Sequence, residues 1–156
     1  MAAGAGHWEA VELMAESVAD LEACWGPEGR TPLLLAAAAG EAGVAFRLIS
    51  NRADVDARGR DGRTPLLAAA CQGHWQIVGL LAESAADASA QANDGSTAVL
   101  EAVARAQPGS VAALLEARAG PDARDRDGRT ALALAFGGGQ WEAVQLLLQH
   151  RADLEA

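Results

Sequence analysis

The sequence predicts an all-α protein, a solenoid of stacked helix-turn-helix units with β-hairpin-like tips, forming a single domain over residues 1–156. Three observations carry this expectation. Threonines stand at positions 31, 64, 97 and 130, each 33 residues after the one before. A glycine lies two residues before each (Gly29, Gly62, Gly95, Gly128), and proline or alanine follows directly (Pro32, Pro65, Ala98, Ala131). A second landmark recurs in the same frame: "RADVDA" at 52–57, "AADASA" at 85–90, "RAGPDA" at 118–123 and "RADLEA" at 151–156. A fixed period of this length is the mark of a repeat architecture.

The elements of one unit follow from local chemistry. Glycine before Thr-Pro reads as a turn leading into a helix, because a threonine oxygen caps free N–H groups and proline fits the first helical position. "PLLLAAAA" at 32–39 is then a short alanine-rich helix. Gly40, Gly73 and Gly139 break this first helix, and Ala106 takes that slot in the third unit. A second, amphipathic helix follows, as in "HWQIVGLLAES" at 74–84. The stretch from the second landmark to the next Gly-x-Thr turns the chain back. Each helix spans only two to three turns, below the ~12–15 residues at which isolated helices become marginal. Stability must therefore come from stacking each unit on its neighbours.

The 33-residue period, with "DGRTPL" at 61–66 and "GHWQIVGLL" at 73–81, resembles the ankyrin repeat family over nearly the whole chain. The resemblance divides it into an N-terminal half repeat at 1–23 and repeats at 24–57, 58–90, 91–123 and 124–156. The chain departs from the family pattern in two ways. Where the family usually has histidine after Thr-Pro-Leu, it has Leu34, Leu67, Leu100 and Ala133, so apolar packing must replace a polar link. Where the family favours glycine after the second helix, it has Arg52, Ala85, Arg118 and Arg151. A left-handed conformation there costs a non-glycine residue roughly 1 kcal/mol. The apolar last helix (Val144, Leu146, Leu147, Leu148) has no polar capping unit after it. The expectation is a piece of a longer array or self-association through that end, the first being favoured.

Composition narrows the function classes. The formal net charge is −9, which argues against general nucleic-acid or membrane-surface binding, since both partners are anionic. All twelve basic residues are arginine. Cys24 and Cys71 are the only cysteines, read as reduced thiols of an intracellular, cytoplasmic protein. The start "MAAGAGHWEAVELM" has no basic n-region and carries early glutamates, so it does not read as a signal peptide. No apolar run approaches the roughly 20 residues that cross a bilayer.

The resemblance implies a concave binding groove of hairpin tips and first helices. Carried over residue by residue, the first tip holds Trp25 and Arg30, and the second Arg58, Arg60, Asp61 and Arg63. The third holds Gln91, Asn93 and Asp94 with Ser96, and the fourth Arg124, Arg126, Asp127 and Arg129. Ala38, Ala39, Cys71, Gln72, Ala104 and Arg105 would face the groove from the first helices. Seven of the twelve arginines fall in the tips, with carboxylates such as Glu9, Glu12, Glu16, Glu116 and Glu142 on the second helices. Two readings stay open. The arginines form a basic groove for an acidic protein surface or segment, or they pair locally with Asp61, Asp125 and Asp127 or simply stay solvated. The arginine-free third tip would split a basic stripe in two.

Other features have plainer readings. Trp8, Trp75 and Trp141 share the slot at the start of the second helix, with Ala42 and Pro108 between them, a pattern expected to pack large against small. Trp25 serves as an interface anchor or as a cover over the N-terminal half repeat. Cys71 and His74 are spaced like two metal ligands, but two ligands are not a site, and His74 matches the family's helix-start histidine. "AFGGGQW" at 135–141 follows a helix rather than a strand, so it reads as an inter-helix turn and not a phosphate loop. No grouping suits catalysis, a cofactor or a metal. The expected role is non-catalytic protein binding. The alternative is a structural or targeting segment of a longer chain whose activity lies elsewhere.

Overall fold

A computed structural model describes residues 21–150; residues 1–20 and 151–156 lie outside the described residues. Most of the expected half repeat, with Trp8, Glu9, Glu12 and Glu16, therefore falls outside, as does the turn at Arg151.

Among the described residues eight helices follow in pairs: α1 (Pro32–Ala39) with α2 (Ala42–Ser50), α3 (Pro65–Gln72) with α4 (Trp75–Glu83), α5 (Ala98–Ala104) with α6 (Pro108–Glu116), and α7 (Ala131–Gly137) with α8 (Trp141–Gln149). Each first helix opens as its sequence predicts. The side-chain oxygens of Thr31, Thr64, Thr97 and Thr130 accept from the N–H groups of Leu34, Leu67, Leu100 and Ala133 at 3.3–3.4 Å. First helices pack on first helices and second on second, so the pairs stack into two rows. Alanine sets the spacing of the first row, since Ala36, Ala37, Ala69, Ala70, Ala102 and Ala135 are completely buried there. Leu33, Leu48, Leu66, Ile77, Leu81, Leu114 and Leu147 fill the space between the rows. Leu34, Leu67 and Leu100 are buried where the family has histidine, so apolar packing does replace that link; Ala133 is exposed.

The turns carry the strain the sequence implies. Arg52, Ala85 and Arg118 adopt left-handed φ values of 66°, 60° and 63°. Ala106, in the slot of Gly40 and Gly73, has φ 52°. Gly40 is required twice over: its φ is 84°, and a Cβ there would sit 2.6 Å from the His74 ring. His74 thus packs against the turn of the preceding unit.

The tryptophan expectation holds only in part. Trp75 is half-buried against the core, but Trp141 is 65% exposed, edge-to-face with the equally exposed Phe136 at 5.5 Å. The reason lies in the stack. The slot of Phe136 holds Ala37, Ala70 and Val103 in earlier units, each fully covered by the next pair. Among the described residues nothing follows α7 and α8 to cover them.

Candidate functional site

The tips form a row along the ends of the first helices. Antiparallel bridges close three of them, at Trp25–Arg30, Gln91–Thr97 and Arg124–Thr130. Asp61, Asp94 and Asp125 fix the turns by accepting from the N–H groups of Arg63, Ser96 and Asp127.

Several of the side chains expected to line a groove also bond between repeats. In one seam they bond forward. Arg58 donates to the Gln91 carbonyl at 3.1 Å and to its own unit's Gly62 carbonyl at 3.4 Å. Gln91 donates to the Arg124 carbonyl at 3.4 Å and to Gly95 at 2.9 Å. Arg124, by contrast, donates within its own tip, to the Gly128 carbonyl at 2.8 Å. In a second seam they bond backward. Arg60 donates to the Pro27 carbonyl at 2.9 Å, Asn93 to Arg60 at 3.0 Å and Arg126 to Asp94 at 2.9 Å. A third seam runs behind the tips, where Glu22, Asp56 and Ser89 accept from the N–H groups of Asp54, Asp87 and Gly120. The arginine-free third tip continues the row of hydrogen bonds with amides in place of guanidiniums. The signal was present in the sequence: positions 58, 91 and 124, and positions 60, 93 and 126, all carry long donors at a 33-residue spacing.

The arginines divide into two electrostatic classes. Arg30, Arg63 and Arg129 are paired with carboxylates: Arg30 with Glu28 and, at 3.9 Å, Asp61; Arg63 with Asp94 at 3.1 Å; Arg129 with Asp125 and Asp127, each at 2.8 Å. Among the described residues Arg58, Arg60, Arg124 and Arg126 bond only backbone carbonyls, and all four are exposed. Since a guanidinium has five donors, these four keep free N–H groups and an uncompensated charge. Local pairing describes the first class; the second is exposed to solvent, which both readings allow.

The first-helix positions add little chemistry. Arg105 donates to the Cys71 carbonyl and pairs with Glu101 at 3.5 Å. Burial first, then the Glu101 charge, pushes the half-buried Cys71 thiol up to about 11, so it stays protonated and poorly nucleophilic near neutrality. Gln72, Ala39 and Ala104 are exposed and Ala38 is half-buried. Trp25 is half-buried, tied to Arg30 by paired backbone bonds of 2.8 and 3.1 Å. The short bond from Ser96 to Asp94, the Ser96 N–H and Arg63 hold the Asp94 carboxyl down to about 2. Among the described residues no three histidine, cysteine or acidic side chains converge as metal ligands, and no helix is long and apolar enough to cross a membrane.

The family model for ankyrin repeats (3 copies) matches residues 1–94, 37–127 and 85–156. The chain belongs to the ankyrin repeat family. A crystal structure of an ankyrin repeat domain from Acinetobacter baumannii AYE is 32% identical and superposes with a TM-score of 0.83, covering 91% of this chain and 74% of that one. No curated protein matches the chain. Ankyrin repeats are in general protein–protein interaction modules, and their fold is typically non-catalytic. The seams give these repeats a surface whose side chains are ordered before any partner arrives.

Proposed function

We propose that the chain is a non-catalytic binding module, a single domain whose four repeats begin at 24, 58, 91 and 124 after an N-terminal half repeat. It holds an acidic segment or surface of another intracellular, cytoplasmic protein along its hairpin tips and first helices. The observation that carries this reading is the four guanidiniums of Arg58, Arg60, Arg124 and Arg126. They are exposed, unmatched by any carboxylate among the described residues, and held by carbonyl bonds that leave donors free. Their placement on a chain of net charge −9 sets a local positive surface against an acidic body, which favours an acidic partner in orientation and encounter rate. Because the seams fix the side chains in advance, little ordering entropy opposes binding.

A second reading uses the same bonds: the hairpin side chains serve stacking alone, within a chain whose activity lies elsewhere. One variant separates the two. Arg58→Gln, Arg60→Asn, Arg124→Gln and Arg126→Asn copy the natural residues Gln91 and Asn93 of the third unit, removing four charges while keeping the donors. In affinity capture, the binding module is expected to lose its partners on this change with its melting temperature held. Unchanged capture would leave stacking as the role of the row.

A further inference from the structure

A cleft opens on the opposite side of the molecule, between the second helices α2 and α4. Its volume is about 460 Å³, and its lining includes Phe46, Trp75, Gly43, Gly79, Gln76 and Glu83. That volume lies within the ~300–1,000 Å³ of ordinary ligand sites. Three features point to an occupant.

The first is the two glycines. Gly79 sits in the middle of α4, where glycine is less favourable than alanine by roughly 1 kcal/mol, and Gly43 is in the first turn of α2. Neither has a positive φ, and a Cβ at either would meet nothing within 4 Å. Nothing in the fold requires glycine at these positions, and the effect of both is to keep the cleft open. The slot of Gly79 holds Phe46, Ala112 and Gln145 in the other second helices. The second feature is aromatic surface, 58% exposed at Phe46 and partly exposed at Trp75. Both side chains line the cleft. The third is charge. Glu83 is exposed, is the only charged side chain lining the cleft, and pairs with no cation among the described residues.

Two aromatic side chains and one free carboxylate are the elements that recognise a flat cation. A ring face attracts a cation within about 6 Å of its centre. A guanidinium suits this better than an ammonium, because it is planar, weakly hydrated and stacks on aromatic rings. A carboxylate ligand would be repelled by Glu83 and by the acidic chain. A neutral apolar group would leave Glu83 unused. We propose that the cleft between α2 and α4 receives an arginine side chain of a partner protein, its aliphatic stem over Gly43 and Gly79 and its guanidinium between the aromatic rings and Glu83. This site is independent of the hairpin row and of the function proposed for it.

The test uses the full chain, labelled with ¹⁵N, and two small probes of one shape: n-butylguanidinium and the neutral n-butylurea. The amide signals of Gly43 and Gly79 and the Trp75 indole signal report occupancy directly. Saturable shifts of these three signals with butylguanidinium are expected, with butylurea weaker by about threefold or more and Glu83→Gln lowering affinity for the cation alone by about threefold. Gly79→Leu, which fills the cleft without disturbing a required backbone conformation, is expected to abolish the shifts. Equal response to both probes, indifference to Glu83→Gln, or no saturable shift would each overturn the proposal.

Discussion

Arg58 and Gln91 occupy one place in successive repeats, and each does the same two things. It bonds a glycine carbonyl in its own tip and reaches the carbonyl of the next one. Arg60 and Asn93 are likewise equivalent, both reaching back one repeat. The second and third units thus share their geometry and differ in charge: the second tip holds Arg58, Arg60 and Arg63 around Asp61, the third only Asp94. The difference separates two roles that arginine combines here. Reaching a neighbour's carbonyl needs a long donor, which glutamine or asparagine supplies. Attracting an acidic partner needs the charge as well.

The largest effect should come from breaking the seams. Arg58→Ala with Arg60→Ala removes three hydrogen bonds that span the first three tips. At ~0.5–1.5 kcal/mol per net bond, the loss is about 2 kcal/mol, or roughly 4–8 °C of melting temperature at this chain length. Arg58→Gln with Arg60→Asn should lose less than ~0.5 kcal/mol, because the third unit shows that amides make the same bonds. Thermal melts by circular dichroism compare the two directly. Equal destabilisation would mean that the second and third tips are not equivalent after all.

The same units differ at the turn between their helices, with a smaller effect. Gly73 has φ 81° and Ala106 has φ 52°, both left-handed. The side chain at 106 carries a strain of ~1–2 kcal/mol, offset partly by the greater freedom glycine has when unfolded. Ala106→Gly should therefore stabilise by about 0.5–1 kcal/mol, and Gly73→Ala should destabilise by a similar amount. Arg52→Gly and Arg118→Gly should behave like Ala106→Gly, since both residues are left-handed too. Denaturant midpoints check all four, and a stabilising Gly73→Ala would refute the strain argument.

Much of this was legible in the sequence because it is periodic. The threonine caps, the glycine turns and the pairing of helices repeat every 33 residues, so each unit confirms the reading of the others. The strained turns at Arg52, Ala85 and Arg118 were legible for the same reason, as departures from a repeating pattern. What the period does not carry is the direction in which a side chain reaches. Arg58 and Arg63 stand five residues apart in one tip, yet one bonds carbonyls and the other a carboxylate of the next unit. Only the stacking of tips decides which keeps its charge free. The exposure of Trp141 was hidden for a related reason: its slot is repeated, but among the described residues no further pair stacks on its unit.

The smallest effect concerns acid, and it turns on Ser96, the residue the third unit has where the others have Arg30, Arg63 and Arg129. Its hydroxyl is the largest influence on Asp94, whose carboxyl lies near 2 instead of 3.8. A carboxyl lowered on folding stabilises fully above its unfolded value, and that contribution disappears as pH falls through the folded one. Asp94 should therefore stabilise the protein above about pH 4 and cease to do so toward pH 2, with screening at this partly exposed site keeping the effect below ~1 kcal/mol. Asp94→Asn should melt lower than the parent at pH 6, and the gap should close by pH 2. Ser96→Ala should move the loss to higher pH, because the folded value then rises toward 3.8. A gap that stays constant with pH would show that Asp94 acts through its shape in the turn and not through its charge, and that the third tip is held by the same uncharged bonds throughout.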